Sequence, residues 1–69
     1  MARVRYDIDE NPVRRLYVNP RAVNAIEAVG EDRTKLHVAG VPYPYVVRGA
    51  ANDIDEELED AERRDRYDR

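Results

Sequence analysis

The chain has no cysteine and no serine, and only one threonine, one lysine and one histidine among its 69 residues. Without cysteine there is no disulfide and none of the commonest structural zinc sites, so two supports of small folds are excluded. Without serine, the hydroxyl nucleophiles outside the five tyrosines reduce to Thr34, which has no base paired with it in the sequence. Nucleophilic catalysis is therefore not expected. The three glycines build no phosphate-cradling motif. No apolar run approaches the roughly 20 residues of a membrane span, and Met1-Ala2-Arg3-Val4-Arg5-Tyr6 lacks the apolar core of a signal peptide. The expectation from these absences is a cytoplasmic, non-enzymatic protein of a cell or of a virus replicating in one. No catalytic residue, cofactor, metal, membrane or small-molecule substrate is assigned to it.

What the chain does have is charge, unevenly placed. Arginine outnumbers lysine eleven to one beside plentiful alanine, valine and aspartate, the codon bias of a GC-rich genome. Residues 1–52 carry a net charge of +2 and residues 53–69 a net charge of −5, a mildly basic sheet followed by an acidic tail. A chain of this length forms one domain and buries only about 60% of the surface its unfolded form exposes. With disulfides and zinc excluded, self-association is the expected support for so small a core.

Arg3 to Asp9 alternates without a break, with Val4, Tyr6 and Ile8 on one face and Arg3, Arg5, Asp7 and Asp9 on the other. It reads as a half-buried strand whose charged outer side suits a sheet edge. Glu10-Asn11-Pro12 ends it. Arg14 to Val18 is a second strand, with Leu16 and Val18 inward and Arg15 and Tyr17 outward. Asn19-Pro20 offers an N-cap and a first helical residue, so 19–23 is expected to form one helical turn, with Val23 and Ile26 both pointing inward. Asn24 to Val29 and Thr34 to Val38 form a hairpin around Gly30-Glu31-Asp32-Arg33. After the connection 39–42, Tyr43 to Arg48 is the last strand, with Pro44 at its start or on a free edge.

From Asp53 the pattern is helical, with Asp53 as cap and Glu56 three residues on. Ala51, Ile54, Leu58 and Ala61 form a narrow apolar stripe. Glu59 with Arg63, Asp60 with Arg64, Glu62 with Arg66 and Asp65 with Arg69 are acid-first pairs four apart. The expected core is Val4, Tyr6, Ile8, Leu16, Val18, Val23, Ile26, Leu36, Val38, Tyr45, Val47, Ile54 and Leu58. The expected fold is α+β: an antiparallel meander of four or five strands, its C-terminal helix laying Ile54 and Leu58 against one sheet face. The domain covers 1–61, and 62–69 is a charged helical extension or frayed tail.

Candidate sites are few. His37 lies mid-strand beside Lys35, with no ligand-type neighbours near it in sequence, and reads as an exposed strand histidine. The carboxylates of 53–62 lack the glycine and twelfth-position glutamate of a calcium loop and read as a solvated helix face. Arg3, Arg5, Arg14, Arg15, Arg21, Lys35 and Arg48 offer cations, and Tyr17 and Tyr43 stacking surfaces, for a nucleic acid on the outer sheet face. The alternative for the same residues is an ordinary solubilising exterior. As a partner-binding surface the sequence singles out Arg3, Arg5, Arg14, Arg15, Tyr17, Arg21, Val41 and Tyr43.

Two resemblances add to this. Ala25-Ile26-Glu27-Ala28, Lys35-Leu36-His37-Val38, Tyr45-Val46-Val47-Arg48-Gly49 and the Ile54-Leu58 helix resemble the first half of the LytTR-type DNA-binding domain, a β-rich fold of transcription regulators. The basic second half of that family has no counterpart here. Leu16-Tyr17-Val18-Asn19, Val23, Ile26-Glu27, Thr34-Lys35-Leu36, Tyr45-Val46-Val47 and a C-terminal helix resemble the small FlbD-type proteins associated with bacterial flagella and swarming. Here the departures are the extra strand Arg3 to Asp9 and the insertion 42–44. The second resemblance implies a short, non-enzymatic chain. The expected function is an interaction module that self-associates and binds a protein partner, as a regulatory accessory or phage-encoded factor would. The alternative is a nucleic-acid-binding module.

Overall fold

The structure, a computed structural model, describes residues 3–67, with side chains as far as Arg64. Five strands, β1 (Val4–Ile8), β2 (Arg14–Val18), β3 (Val23–Val29), β4 (Arg33–Val38) and β5 (Tyr45–Arg48), precede one helix, α1 (Ala51–Tyr67). All pairings are antiparallel, in the order β2-β1-β5-β4-β3. This is the expected α+β architecture, with one correction. β1 is not an edge strand: it lies between β2 and β5, paired with β2 along its whole length and with β5 at Ile8–Val47. Its alternation marks a strand with one wet face, and an interior strand of a sheet covered on one side satisfies that as well as an edge does.

The link from β2 to β3 sets the shape of the sheet. Val18 ends one edge strand and Val23 opens the other, at the opposite end of the sheet. Five peptide steps of about 3.8 Å reach at most about 19 Å. In a flat sheet, strand spacings of about 4.8 Å alone would put the edges about that far apart, before the offset along the strands is added. The sheet is therefore strongly coiled, bringing these diagonal corners together over the core. A 3₁₀ turn, Pro20–Ala22, makes the crossing: Asn19 Oδ1 accepts from the Arg21 N–H at 3.1 Å, and Pro20 is buried. The Ala39 N–H donates to the Ala22 carbonyl at 2.8 Å and ties the turn to the end of β4.

In a regular strand Val23 and Ile26, three apart, would face opposite ways. A register shift between Val23 and Ala25 absorbs Asn24 as a bulge, so that Val23 pairs with Val38 and Ile26 with Leu36. Both side chains then pack on the core, as expected. Tyr6, Ile8, Val18, Leu36, Val47, Ile54 and Leu58 are buried at its centre, and Val4, Leu16, Val23, Ile26, Val38 and Tyr45 pack around them.

α1 begins at Ala51, earlier than the expected Asp53 cap, because the Ile54 N–H already finds the Ala50 carbonyl at 3.0 Å. Asp53 thus sits inside the first turn, where its charge still suits the helix dipole. Ile54, Leu58 and Ala61 are buried, and the helix packs chiefly against the 3₁₀ turn, β1, β3 and β4. Arg63 reaches Asp60 at 3.5 Å, a spacing of three rather than the expected four from Glu59. The expected pairs Glu62–Arg66 and Asp65–Arg69 lie outside the described side chains.

Gly49 makes the exit from sheet to helix. Its φ is +129°, its N–H donates to the Asp32 carbonyl at 2.7 Å, and its carbonyl accepts from the fully buried Thr34 hydroxyl at 2.9 Å. A Cβ there would lie 3.2 Å from Ile54 Cδ1. Gly49→Ala is accordingly expected to cost about 1–3 kcal/mol by combining backbone strain with crowding. Thermal unfolding measures this, and an unaltered midpoint would show that the exit turn relaxes freely.

Candidate interaction surface

The sheet face away from the core carries most of the charge. The ladder places Arg5 opposite Tyr17, Asp7 opposite Arg15, Lys35 between Glu27 and Val46, and Arg33 opposite Arg48. Two arginines facing each other across a ladder repel. Asp9 relieves this, its carboxylate reaching Arg33 Nε at 3.0 Å and Arg48 Nε at 3.2 Å. Its own N–H donates to the Val46 carbonyl at 2.8 Å, which fixes the carboxylate between the two guanidinium groups. His37 Nε2 stands 3.5 Å from Glu27 Oε1.

A second surface lies at the end of the sheet where the β1–β2 connection meets the loop 39–44. These two segments enclose a groove of about 420 Å³ lined by Ile8, Val41, Tyr43, Pro44, Tyr45 and Val46, with Asp9, Glu10 and Arg14 on its polar side. Tyr43 is 78% exposed and Val41 36%, and Val13, next to Arg14, is 41% exposed. Local chemistry explains this display. Gly40, at φ +80°, turns the chain so that the Val41 N–H meets the Val38 carbonyl at 3.1 Å. Pro42 and Pro44 then stiffen the loop on either side of Tyr43. Across the groove Arg14 and Glu10 pair in bidentate fashion, at 2.9 and 3.1 Å. That hydrogen-bonded carboxylate holds the Arg14 guanidinium above its ordinary pKa.

A smaller crevice of about 240 Å³ separates β1 and β5 from the start of α1, lined by Arg5, Tyr6, Asp7, Arg48, Gly49, Asp53, Ile54 and Glu57. At its floor the Tyr6 hydroxyl is buried without a hydrogen-bond partner among the described residues. Burial, followed by the negative charge of Glu57, pushes the pKa of this phenol well above its ordinary value. Among the described residues no three His, Asp or Glu side chains are grouped to hold a metal ion, and no helix is long and apolar enough to cross a membrane.

The eight residues singled out in the sequence fall in four places. Arg5, Arg15 and Tyr17 share the outer face over β1 and β2. Arg3, just before β1, lines a crevice with Glu57, Asp60 and Arg64 of α1. Arg14 pairs with the core residue Ile8, so it has core-side parity and borders the groove with Val41 and Tyr43 instead. Arg21 stands apart on the 3₁₀ turn. Sequence reasoning missed the bridging role of Asp9. The alternation of β1 puts Asp9 on the outer face, but its partners come from β4 and β5 and leave no local signal. Comparisons with protein-family models, with curated proteins and with solved structures give no match.

Proposed function

We propose that this chain is a non-enzymatic interaction module that works through protein–protein contacts and self-associates. The observation that carries this reading is the groove at the end of the sheet. It gathers two of the four exposed large apolar side chains among the described residues, Val41 and Tyr43, on stiff proline-flanked backbone at one end of the sheet. A rigid exposed tyrosine beside an apolar groove and an arginine is the make-up of an interface centre, because little conformational freedom is lost on binding. The resemblance to the FlbD-type proteins points to the same class.

The nucleic-acid reading has less support. Asp9 occupies Arg33 and Arg48, Glu10 occupies Arg14, and Arg15 faces Asp7. The Asp9 bridges neutralise Arg33 and Arg48 on the outer face before any phosphate arrives. The test is affinity capture from the native host with wild-type protein and with Tyr43→Ala. The variant is expected to weaken the captured partner by roughly thirtyfold, the effect of a central interface residue worth about 2 kcal/mol. Undiminished capture would refute the groove as the working surface. A salt-sensitive DNA or RNA shift that disappears in an Arg3→Ala, Arg5→Ala double variant would put the nucleic-acid reading in its place.

A further inference from the structure

We infer that β2 is the strand through which this chain self-associates: two copies join β2 to β2, antiparallel, about a two-fold axis at Leu16. The inference rests on the self-association proposed above and assigns it a surface. Two strands, β2 and β3, end the sheet. β3 is blunted by its bulge at Asn24 and packs under α1. β2 has neither protection: its five residues pair with β1 in unbroken register, it contains no proline or glycine, and it is not among the elements on which α1 chiefly packs. Such an edge is a ready template for another strand.

Cations usually guard an open edge, but on β2 one of the two is held and the other has an acid across the ladder. Glu10 holds Arg14 in bidentate fashion, and Arg15 stands opposite Asp7. Leu16, on the core side, is only partly buried. A second copy supplies what would cover it.

Charge also selects the register. An axis perpendicular to the sheet keeps the two core faces on one side, so outward residues must meet outward residues. Centring the pair on Arg14 or Arg15 sets arginine against itself. Centring it on Leu16 uses the whole strand, sets Arg15 against Tyr17 of the second copy in a cation–π pair, and sets Arg14 against its Val18. Leu16 then meets Leu16. A closed two-fold contact of this kind is also the commonest oligomer geometry.

Because the chain has no cysteine, single cysteines report the contact without background. Sedimentation of the wild-type protein is expected to show a concentration-dependent dimer. Under mild oxidation Leu16→Cys is expected to form a covalent dimer, since Cβ atoms directly opposite lie roughly 4.5–5.5 Å apart, close to disulfide reach. A mixture of Arg15→Cys and Tyr17→Cys, both at exposed positions, is expected to cross-link roughly tenfold faster than either variant alone. This keeps the test valid if Leu16→Cys does not fold. A dimer that cross-links fastest through Asn24→Cys or Tyr43→Cys would overturn the β2 assignment and leave self-association standing. A protein that sediments only as monomer at its highest soluble concentration would overturn both.

Discussion

Ile54→Ala is expected to destabilise the protein by about 2–5 kcal/mol, the range for removing a fully buried aliphatic side chain. In a domain of this size that lowers the melting midpoint by roughly 10 °C or more. Ile54 is 1% exposed, lies in one buried cluster with Tyr6, Ile8, Leu36, Val47 and Leu58, and meets the backbone at Gly49, so there is little slack to refill the space. Leu58→Ala should act in the same direction, and Leu58, at 8% exposure, keeps slightly more contact with solvent. The helix has little independent support. Its acid–base pairs contribute roughly 0.2–0.5 kcal/mol each, and a helix of this length is marginal in water without tertiary packing. Loss of helical circular dichroism and loss of the sheet signal should therefore coincide in one transition. A helix that melts first while the sheet transition stays where it was would show that α1 is an appendage and not part of the core.

Each of the thirteen side chains expected inside is buried or packed against the buried cluster, and the structure adds Ala61 and the fully buried Thr34 to them. Alternation along the strands and the Ile54–Leu58 spacing account for most of them, because facing is a local property of a strand or helix. Neighbour order is not local. Nothing within Val4–Ile8 says that it pairs with a strand some forty residues away, so β1 reads as an edge when it is interior. The bulge at Asn24 was implied by the demand that Val23 and Ile26 both face inward, although no residue there signals it. The groove was half legible, since Val41 and Tyr43 stand out as apolar residues among turn formers. Its other wall comes from the β1–β2 connection, and only the coiling of the sheet and the β1–β5 pairing bring the two together.

At alkaline pH the protein is expected to lose stability through Tyr6, and Tyr6→Phe is expected to remove that loss. The folded state holds the phenol neutral, because its hydroxyl is buried and the Glu57 carboxylate disfavours a second negative charge nearby. Once the chain unfolds, the phenol ionises near its ordinary value of about 10. Below that pH both states keep the proton and stability does not depend on this group. Above it the unfolded state binds fewer protons than the folded one, so stability falls as pH rises, by at most about 1.4 kcal/mol per pH unit. The decline continues through pH 11–12, because the folded state still holds the proton there. Phenylalanine keeps the ring in the core and deletes a buried hydroxyl whose lack of a partner costs about 1–3 kcal/mol. The variant should therefore be at least as stable as wild type at neutral pH and visibly more stable at pH 11–12. Denaturant melts of the two proteins across pH 7–12 measure this directly. Parallel curves, with the same alkaline decline in both, would mean that the Tyr6 hydroxyl ionises in the folded protein as freely as in the unfolded chain.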